Sequence, residues 1–487
     1  MHKRPKRFDR NLIVIGAGSA GLVSAYIAAM VKAKVTLIEA DAMGGDCLNT
    51  GCVPSKALIK SARIAHAVND AARFGVNAPP ATVDFPSVMR RVRDVITAIE
   101  PHDSVERFTG LGVDCVRGYA RFVDPWTVEI KAADGGEQRL TARAFIIATG
   151  AAPLIPPLPG IEDSGYLTSE TLWDAMADRK AVPERLVILG GGPIGCELAQ
   201  AFQRLGSQVT IVEMADRLLL KEDADAAALV TESLLADGVT LLTGHKALHF
   251  AGSKQLVVAG PSGERPLDYD DIIVAVGRKP RVTGFGLEEI GLVVEGRIET
   301  DDYLRTNIPH ILCAGDVAGR QQLTHGASHE AWFVSVNALA RPFKKYRADY
   351  RVLPRVTYTE PELAAVGLTE TEAVSHGIAY DVTRYDLDDL DRAIAEGEAR
   401  GFVKILTARG SDTILGATIV GSHAGETLSE ITFAMRHKLG LRKILQTIHP
   451  YPTWAEANKY AAGQYGLERK PEALLKWAER WFRWKRG

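Results

Sequence analysis

The sequence lacks long apolar runs, which excludes a membrane-spanning helix. No segment approaches the roughly 18 consecutive apolar residues that are needed to cross a bilayer. The apolar run behind the basic first residues, 12–15, is too short for the hydrophobic region of a secretory signal peptide. We therefore expect a cytoplasmic protein.

Cysteine and net charge are both scarce. Five cysteines in 487 residues do not make a disulfide framework, and in a reducing compartment a close pair suggests metal binding or redox chemistry. A formal net charge of −2 leaves no overall field that would attract nucleic acid. The charge is uneven, however, because residues 1–10 sum to +4 and residues 469–487 to +5, so the body between them carries about −11.

A dinucleotide fingerprint opens the chain. A buried strand is predicted over 11–15, then the pattern GxGxxG, a helix to about residue 30, and a second strand over 35–38. The first glycine permits a tight turn, the second lets a pyrophosphate approach the backbone, and the third lets the helix pack on the strand. The helix N-terminus offers free N–H groups to phosphates, and the acid is placed to bind ribose hydroxyls. These residues are Gly16, Gly18, Gly21 and Glu39.

The same pattern recurs later in the chain. Strands are predicted over 185–189 and 209–212, and the spacing from first glycine to acid is again 23 residues. The fingerprint residues are Gly190, Gly192, Gly195 and Glu213. Two such units, each with strand, helix and acid in register, predict two sites for two different dinucleotides.

A pair of cysteines lies just beyond the first unit. Cys47 and Cys52 are five positions apart at the start of a predicted helix, so their thiols can meet across one turn. The helix dipole and Lys56 would lower the thiol pKa values and favour the reactive thiolate. The alternative is a pair of structural zinc ligands, but no second Cys/His pair has the spacing that would complete four ligands.

These residues resemble the flavin-dependent pyridine nucleotide–disulfide oxidoreductases. The resemblance is carried by the segment 47–56, by Gly315-Asp316 and by the motif at 358–362. It implies that the first fingerprint binds FAD, that Asp316 holds the flavin's ribityl–phosphate portion, and that the second fingerprint binds the nicotinamide cofactor. It also implies a homodimer formed through the C-terminal domain.

The resemblance assigns roles to the dithiol and its neighbours. Cys52 corresponds to the charge-transfer thiol beside the flavin and Cys47 to the interchange thiol that meets the substrate. Lys56 is similar to the family's lysine near the flavin N5, paired with a glutamate that is here Glu197. Further cofactor-binding residues are predicted at strand ends, namely Thr149, Gly150, Gly277, Arg278, Gly315 and Asp316.

The implied fold class is α/β, with two Rossmann-like domains and a C-terminal α+β dimerisation domain. The domain boundaries are suggested by a proline-rich stretch at 153–159 and by a change of pattern near residue 353, after which strand-like and helical segments alternate without another glycine fingerprint. The predicted segments are an FAD-binding part (1–155), an NAD(P)-binding domain (156–277), a second FAD-binding part (278–345), the dimerisation domain (346–465) and a basic tail (466–487).

The nicotinamide cofactor is predicted to be NADH. Glu213 ends the second strand, where a carboxylate repels a 2′-phosphate. Arg217 lies nearby in sequence and could reach such a phosphate, so NADPH is the alternative.

The chain departs from the family near its C-terminus. Disulfide reductases of the family carry His-Pro-Thr-x-x-Glu, in which the histidine is the acid/base of the partner subunit. Here Glu456 and the preceding Pro-Thr align, but Tyr451 occupies the base position and His449 lies two residues early. A tyrosine with a pKa of about 10 is a poor base at neutral pH. Tyrosine here resembles mercuric reductase, although the last cysteine is Cys313 and the terminal cysteine pair of those enzymes is missing.

Three functional hypotheses follow. The first is electron transfer from NAD(P)H through FAD to the disulfide Cys47–Cys52 and on to a disulfide or soft metal-ion acceptor, so the expected partner is a small-molecule or protein dithiol/disulfide or a metal ion. The second is dihydrolipoyl dehydrogenase, and the third is a non-catalytic redox sensor or membrane-recruited flavoprotein.

The basic tail forms a separate question. Leu474, Trp477, Trp481 and Trp484 recur at spacings of three and four and would share one helix face among basic residues. Residues 471–486 would contact a membrane peripherally or dock on the chain's own dimer.

Overall fold

The computed structural model describes residues 4–132, 135–252, 254–341 and 343–487. The chain separates into two compact units. The first contains Met1–Asp216 and Asp237–Asp349, and the second contains Arg217–Ala236 and Tyr350–Gly487. Each unit mixes helices and strands, so the predicted α/β class is confirmed.

The strands of the described residues are β1 Arg10–Ile15, β2 Val35–Glu39, β3 Asp114–Asp124, β4 Thr127–Ala132, β5 Glu137–Ile147, β6 Ala151–Pro153, β7 Arg185–Leu189, β8 Gln208–Val212, β9 Thr240–Leu242, β10 Lys246–Phe250, β11 Gln255–Gly260, β12 Gly263–Asp268, β13 Asp271–Val274, β14 Arg278–Pro280, β15 Ile311–Cys313, β16 Arg355–Thr357, β17 Glu362–Gly367, β18 Tyr380–Asp386, β19 Phe402–Ala408 and β20 Ile414–Gly421. The α-helices are α1 Ser19–Met30, α2 Gly45–Asn49, α3 Cys52–Asn69, α4 Phe85–Ile99, α5 Val105–Gly110, α6 Leu172–Ala177, α7 Pro193–Arg204, α8 Ala224–Ala236, α9 Thr324–Leu339, α10 Glu370–Ser375, α11 Asp391–Glu396, α12 Ala424–Arg436, α13 Leu441–Gln446, α14 Glu456–Glu468 and α15 Glu472–Lys485.

Two parallel sheets organise the first unit. In one sheet the parallel strands lie in the order β3-β2-β1-β5-β15. Strand β4 pairs antiparallel with the second half of β3 and with the first half of β5. In the other, the order is β13-β7-β8-β9, all parallel. Strands β1 and β7 are central, and their apolar residues are buried, as expected for parallel sheets covered on both faces. Each glycine fingerprint follows one of these central strands, at the edge where open parallel sheets bind ligands.

The second unit is built on an antiparallel sheet with the strand order β16-β17-β20-β19-β18. Helices α12, α13 and α14 supply further apolar residues of its core, together with Leu387, Leu390, Ala393 and Trp454. Helix α8 belongs to this unit, and its Asp225, together with the nearby Asp223, bonds the buried ammonium of Lys404 at 2.7 and 2.9 Å. Within the described ranges, every helix is too short or too polar to cross a lipid bilayer.

Candidate active site

The two glycine loops share one geometry. Gly16 (φ +99°) and Gly190 (φ +106°) turn the chain where a Cβ would lie 2.3 and 2.5 Å from a carbonyl oxygen of a neighbouring segment. A Cβ at Gly21 or Gly195 would lie 1.8 or 2.0 Å from the carbonyl oxygen of the first glycine of the same loop. Backbone packing therefore requires glycine at these four positions.

The middle glycines are different, because the protein leaves space beside them. A Cβ at Gly18 would meet its nearest neighbour at 3.9 Å, and a Cβ at Gly192 would meet nothing within 4 Å. Gly18 and Gly192 are the N-cap residues of helices α1 and α7, and neither helix has a side-chain cap. Open space in front of uncapped N–H groups fits the pyrophosphate of a dinucleotide in both sheets.

The two fingerprint acids also repeat one arrangement. Each carboxylate accepts one hydrogen bond from the glycine loop and one from the turn after its own strand, which fixes both segments. The bonds join the backbone nitrogens of Ala17 and Asp41 to Glu39 (2.6 and 2.9 Å), and those of Gly191 and Ala215 to Glu213 (2.7 and 2.8 Å). Each oxygen keeps a further lone pair with which it can accept from a ribose hydroxyl.

Asp316 and Arg278 form a polar pair in the first unit. The Nε of Arg278 lies 3.6 Å from Asp316, and its guanidinium also donates to the carbonyl of Ala151 at 2.6 Å and to the carboxylate of Asp46. Burial raises the pKa of Asp316 to about 6, although Arg278 opposes the shift. The buried Nε of Arg278 has no hydrogen-bond partner within the described part of the chain. A buried donor that lacks a partner, such as this Nε, could donate a hydrogen bond to a polar portion of a bound cofactor.

The remaining predicted cofactor residues lie on loops after strands. Thr149 donates from its hydroxyl to the carbonyl of Arg281 at 2.8 Å, so its side chain is fixed. Gly150 (φ +69°) and Gly277 (φ +133°) have no neighbour within 4 Å of a Cβ. Gly315 donates from its nitrogen to the buried carboxylate of Glu330 at 2.6 Å. Their part in cofactor binding stays a prediction.

The two thiols of the dithiol lie on consecutive helices. Cys47 is inside the short helix α2, and Cys52 is the first residue of α3, so the predicted helix start is confirmed for Cys52. The indole of Trp173 donates to the carbonyl of Thr50 at 2.7 Å and thereby holds the turn between them. Both thiols are free, and they are hydrogen-bonded to each other.

The environment makes Cys52 acidic. The hydrogen bond from Cys47 has the largest effect, and together with the Thr324 hydroxyl and the charge of Lys56 it lowers the pKa of Cys52 to about 5 despite burial. The Thr324 Oγ1 lies 3.5 Å from the Cys52 sulfur. The same hydrogen bond raises the pKa of Cys47, which therefore remains a thiol. One thiolate and one thiol side by side constitute a nucleophile or a soft metal ligand.

Lys56 and Glu197 form the predicted ion pair. The Lys56 Nζ, on α3, lies 2.8 Å from a carboxylate oxygen of Glu197, on α7. The pair joins the helix that carries Cys52 to the helix of the second glycine loop. The Glu197 side chain is only 6 % exposed, so a nearby cation compensates its charge.

The C-terminal candidates lie in the second unit and make separate contacts. Tyr451 is 67 % exposed, and its hydroxyl donates to Asp391 at 2.9 Å, which raises the pKa of the phenol. The His449 side chain is only 4 % exposed. Its Nδ1 lies 3.0 Å from the carbonyl of Thr447, and its Nε2 lies 2.9 Å from Glu430. Both ring nitrogens are therefore engaged within the unit.

Glu456 is buried at the end of the segment that contains His449 and Tyr451. Its carboxylate accepts from the backbone nitrogen of Thr453 at 3.3 Å and from the hydroxyl of Tyr460 at 3.4 Å. It thus fixes the loop that carries Tyr451.

The other cysteines have the opposite character. Cys196 and Cys313 are buried and Cys115 is half-buried, and burial raises the pKa of all three. Over the ranges that the structure describes, no three His, Cys, Asp or Glu residues are grouped to hold a metal ion.

Several contributing residues carried no signal in the sequence. Thr324 lies 272 positions from Cys52, and Trp173 lies 123 positions from Thr50, so no local pattern links them. Asp391 and Glu430, which hold Tyr451 and His449, also belong to distant segments.

Comparisons with known proteins agree with this geometry. The family described as pyridine nucleotide-disulphide oxidoreductase matches residues 10–331, and its dimerisation domain matches 353–462. The chain is 35 % identical to a mercuric reductase from Streptomyces lividans, over 93 % of this chain and 95 % of that protein. It is 36 % identical to a dihydrolipoyl dehydrogenase from Thermus scotoductus, over 97 % and 98 %.

Solved structures with a similar fold belong to the same class of protein. LpdA from Mycobacterium tuberculosis superposes with a TM-score of 0.85 at 27 % identity, over 93 % of this chain and 99 % of that one. The HOCl-induced flavoprotein disulfide reductase RclA from Escherichia coli, solved as a Cu(II) complex, has a TM-score of 0.82 at 26 % identity, with the same coverage.

Proposed function

Because this chain belongs to the pyridine nucleotide-disulphide oxidoreductases, homodimeric FAD-containing enzymes that use NAD(P)H, we propose that its electrons pass to a soft metal ion bound by Cys47 and Cys52. FAD, held by the first glycine loop, would supply the redox chemistry, taking a hydride from the nicotinamide and providing an electron pair for the metal ion that Cys47 and Cys52 hold. In the overall reaction with Hg²⁺, NADH and Hg²⁺ yield NAD⁺, H⁺ and Hg⁰.

The residues of this chain bind and orient the reactants. The loop of Gly16 to Gly21 and Asp316 hold FAD, and the loop of Gly190 to Gly195 holds the nicotinamide dinucleotide. Lys56, ion-paired with Glu197 at 2.8 Å, stabilises negative charge near Cys52. The thiolate of Cys52 and the thiol of Cys47, once deprotonated by the metal, are soft ligands for the ion.

NADH is the proposed donor. Glu213 directly follows β8, where its carboxylate disfavours a 2′-phosphate. The guanidinium of Arg217 donates to the backbone carbonyls of residues 218, 219, 220 and 222, at 2.9–3.3 Å. Those bonds use the donors with which Arg217 would otherwise recognise a phosphate.

The residue at the acid/base position is the reason for proposing a metal ion, and not a disulfide, as the electron acceptor. Exchange with an organic disulfide needs a proton for the departing thiolate, which a histidine with a pKa near 6.5 supplies at neutral pH. Tyr451 has a pKa above its ordinary value of 10, and His449 is engaged by Thr447 and Glu430. Reduction of a metal ion held by thiolates needs no such proton. The mercuric reductase and the Cu(II) complex of RclA among the relatives support this acceptor class.

Dihydrolipoyl dehydrogenase is the second candidate. It is favoured by the 36 % identity to the Thermus scotoductus protein, which extends over nearly the full length of both chains. A redox sensor without turnover is the third, and ready reduction by NADH with no turnover of any acceptor would identify it.

The test compares acceptors in the wild type and in Tyr451→His. We expect the wild type to oxidise NADH faster with thiol-buffered Hg²⁺ than with lipoamide. Since a histidine restores a base with a suitable pKa, Tyr451→His should raise lipoamide turnover by at least about tenfold, a part of the roughly 10²–10⁴-fold that acid–base catalysis contributes. His449→Gln is the control and should leave both rates within about twofold, because its ring nitrogens are already bound. Rapid lipoamide turnover by the wild type would instead identify dihydrolipoyl dehydrogenase.

Residues 471–486 lie outside both matched regions. We propose that they make peripheral contact with a membrane surface. Docking on the chain's own dimer is the competing possibility.

A further inference from the structure

Helix α15, Glu472–Lys485, is amphipathic and carries no buried residue. Its large apolar side chains are exposed, with 73 % of Trp484, 60 % of Trp477 and 56 % of Leu474 open to solvent. The helix therefore presents an apolar face that the single chain leaves uncovered.

Aromatic rings dominate that face. At 100° per residue, the leucines, the phenylalanine and the tryptophans of the helix occupy about half of its circumference. The rings of Trp477 and Trp481 are stacked with centroids 5.9 Å apart, and those of Trp481 and Trp484 are 5.2 Å apart. The apolar residues are Leu474, Leu475, Trp477, Trp481, Phe482 and Trp484.

The opposite face is basic. Glu472 pairs with Lys476 at 3.9 Å, and Glu479 pairs with Arg483 at 2.9 Å. Three further cations, Arg480, Lys485 and Arg486, have no carboxylate partner in the part of the chain that the structure describes. Lys485, the last residue of the helix, falls within the apolar half of the circumference, and its Nζ lies 6.0 Å from the centre of the Trp481 ring. Residues 469–487 together carry +5.

We infer that α15 docks on an anionic lipid surface, which names the partner of the peripheral contact proposed above. A helix with tryptophan, phenylalanine and leucine on one face and lysine and arginine on the other lies in the plane of the bilayer interface. Tryptophan is enriched at the level of the lipid headgroups, where its ring is apolar and its N–H is hydrated. The uncompensated cations complement negatively charged headgroups, since each one near such a surface strengthens binding.

The test is flotation of the full-length holoenzyme with vesicles of phosphatidylcholine, with and without phosphatidylglycerol. Wild-type protein should float with the anionic vesicles and not with the neutral ones, and 1 M salt should release it, because salt shortens the Debye length from about 10 Å to about 3 Å. The substitutions Trp477→Ser, Trp481→Ser and Trp484→Ser together should reduce binding at least tenfold. Arg480→Gln with Arg486→Gln should weaken it on anionic vesicles.

A matched double substitution on the same helix should have the opposite effect on vesicle binding. Glu472→Gln with Glu479→Gln removes two negative charges from the polar face and should strengthen binding to anionic vesicles. Equal flotation of the wild type and the tryptophan variant, or none for the wild type, would overturn the inference. A drop in dimer stability in the tryptophan variant without flotation of the wild type would identify docking on the chain's own dimer. Flavin reduction by NADH, measured on each sample, should stay unchanged, so failure of the proposed reaction is detected separately.

Discussion

At the scale of single residues, neighbours decide the chemistry of each cysteine. Cys52 begins a helix beside one thiol, one hydroxyl and one ammonium, and its pKa falls to about 5. Cys313 is enclosed in the core, and its pKa rises because burial disfavours the thiolate. The same side chain is thus acidic in one place and kept as a neutral thiol in the other.

The lowered pKa of Cys52 predicts how its reactivity depends on pH. A depressed pKa means that the thiolate persists above about pH 5 and is lost as the pH falls through that value. Alkylation of Cys52 in the reduced enzyme by iodoacetamide should therefore reach half of its maximal rate near pH 5. The rate is measured by mass spectrometry of the peptide that contains Cys52.

Three variants test the causes separately. Cys47→Ala removes the hydrogen bond with the largest effect and should raise the midpoint, and Lys56→Gln should also raise it. Glu197→Gln should lower it, because the glutamate's charge opposes the thiolate. A midpoint near the ordinary thiol value of about 8.5 in the wild type would contradict this assignment.

The sequence predicts the members of this site better than their fine contacts. Cys47, Cys52, Lys56 and Glu197 follow from short motifs, and the structure brings Lys56 and Glu197 together. Thr324 does not follow, because its hydroxyl reaches Cys52 only through the packing of distant segments, which no local pattern records.

At the scale of elements, each glycine fingerprint contains two kinds of glycine. Gly21 lets α1 pack on the preceding turn, whereas Gly18 leaves open space at an ordinary φ of −78°. Gly21→Ala should therefore disrupt folding, since its Cβ would lie 1.8 Å from a carbonyl oxygen. Gly18→Ala should fold normally and lose FAD, measured as the ratio of flavin to protein absorbance with circular dichroism as the check on folding.

The second fingerprint supplies the matched control. Gly192→Ala should keep both the fold and FAD, but raise the KM for NADH at least about tenfold, as expected when about 1.4 kcal/mol of binding is lost. Loss of FAD in Gly192→Ala, or retention of full FAD in Gly18→Ala, would contradict the assignment of the two loops.

Element boundaries follow from the sequence where strands are buried on both sides. Strands β1, β2, β7 and β8 lie within one residue of their predicted bounds, since continuous Val, Ile and Leu marks a central parallel strand. Strand β5 is different, because it runs from Glu137 to Ile147 and only its last four residues, 144–147, form a continuous apolar run. Its first half is polar and exposed and pairs with β4, so it lacks the apolar run that marks a buried strand.

At the scale of the whole molecule, the enzyme is a homodimer, and its C-terminal unit has the surface that this requires. Within the segment matched by the dimerisation domain, several large apolar side chains are open to solvent in the single chain. Ile448 is 95 % exposed, Tyr451 67 % and Phe433 61 %. Apolar side chains exposed to this degree in one segment are typical of a surface that a partner covers.

Ile448 offers the sharpest test of that surface. A glutamate there would bury an unpaired charge if a second copy covers it, so Ile448→Glu should weaken the dimer by about 2–4 kcal/mol, roughly 30- to 1000-fold in Kd. Light scattering across a dilution series measures the change. Val105→Glu, at an exposed position in helix α5 outside the dimerisation domain, is the control and should leave the Kd unchanged. Because Ile448 lies three residues before Tyr451, a monomeric variant that still binds FAD but no longer turns over any acceptor would show that the Tyr451 segment works only across the dimer. A variant that stays dimeric would remove Ile448 from the interface.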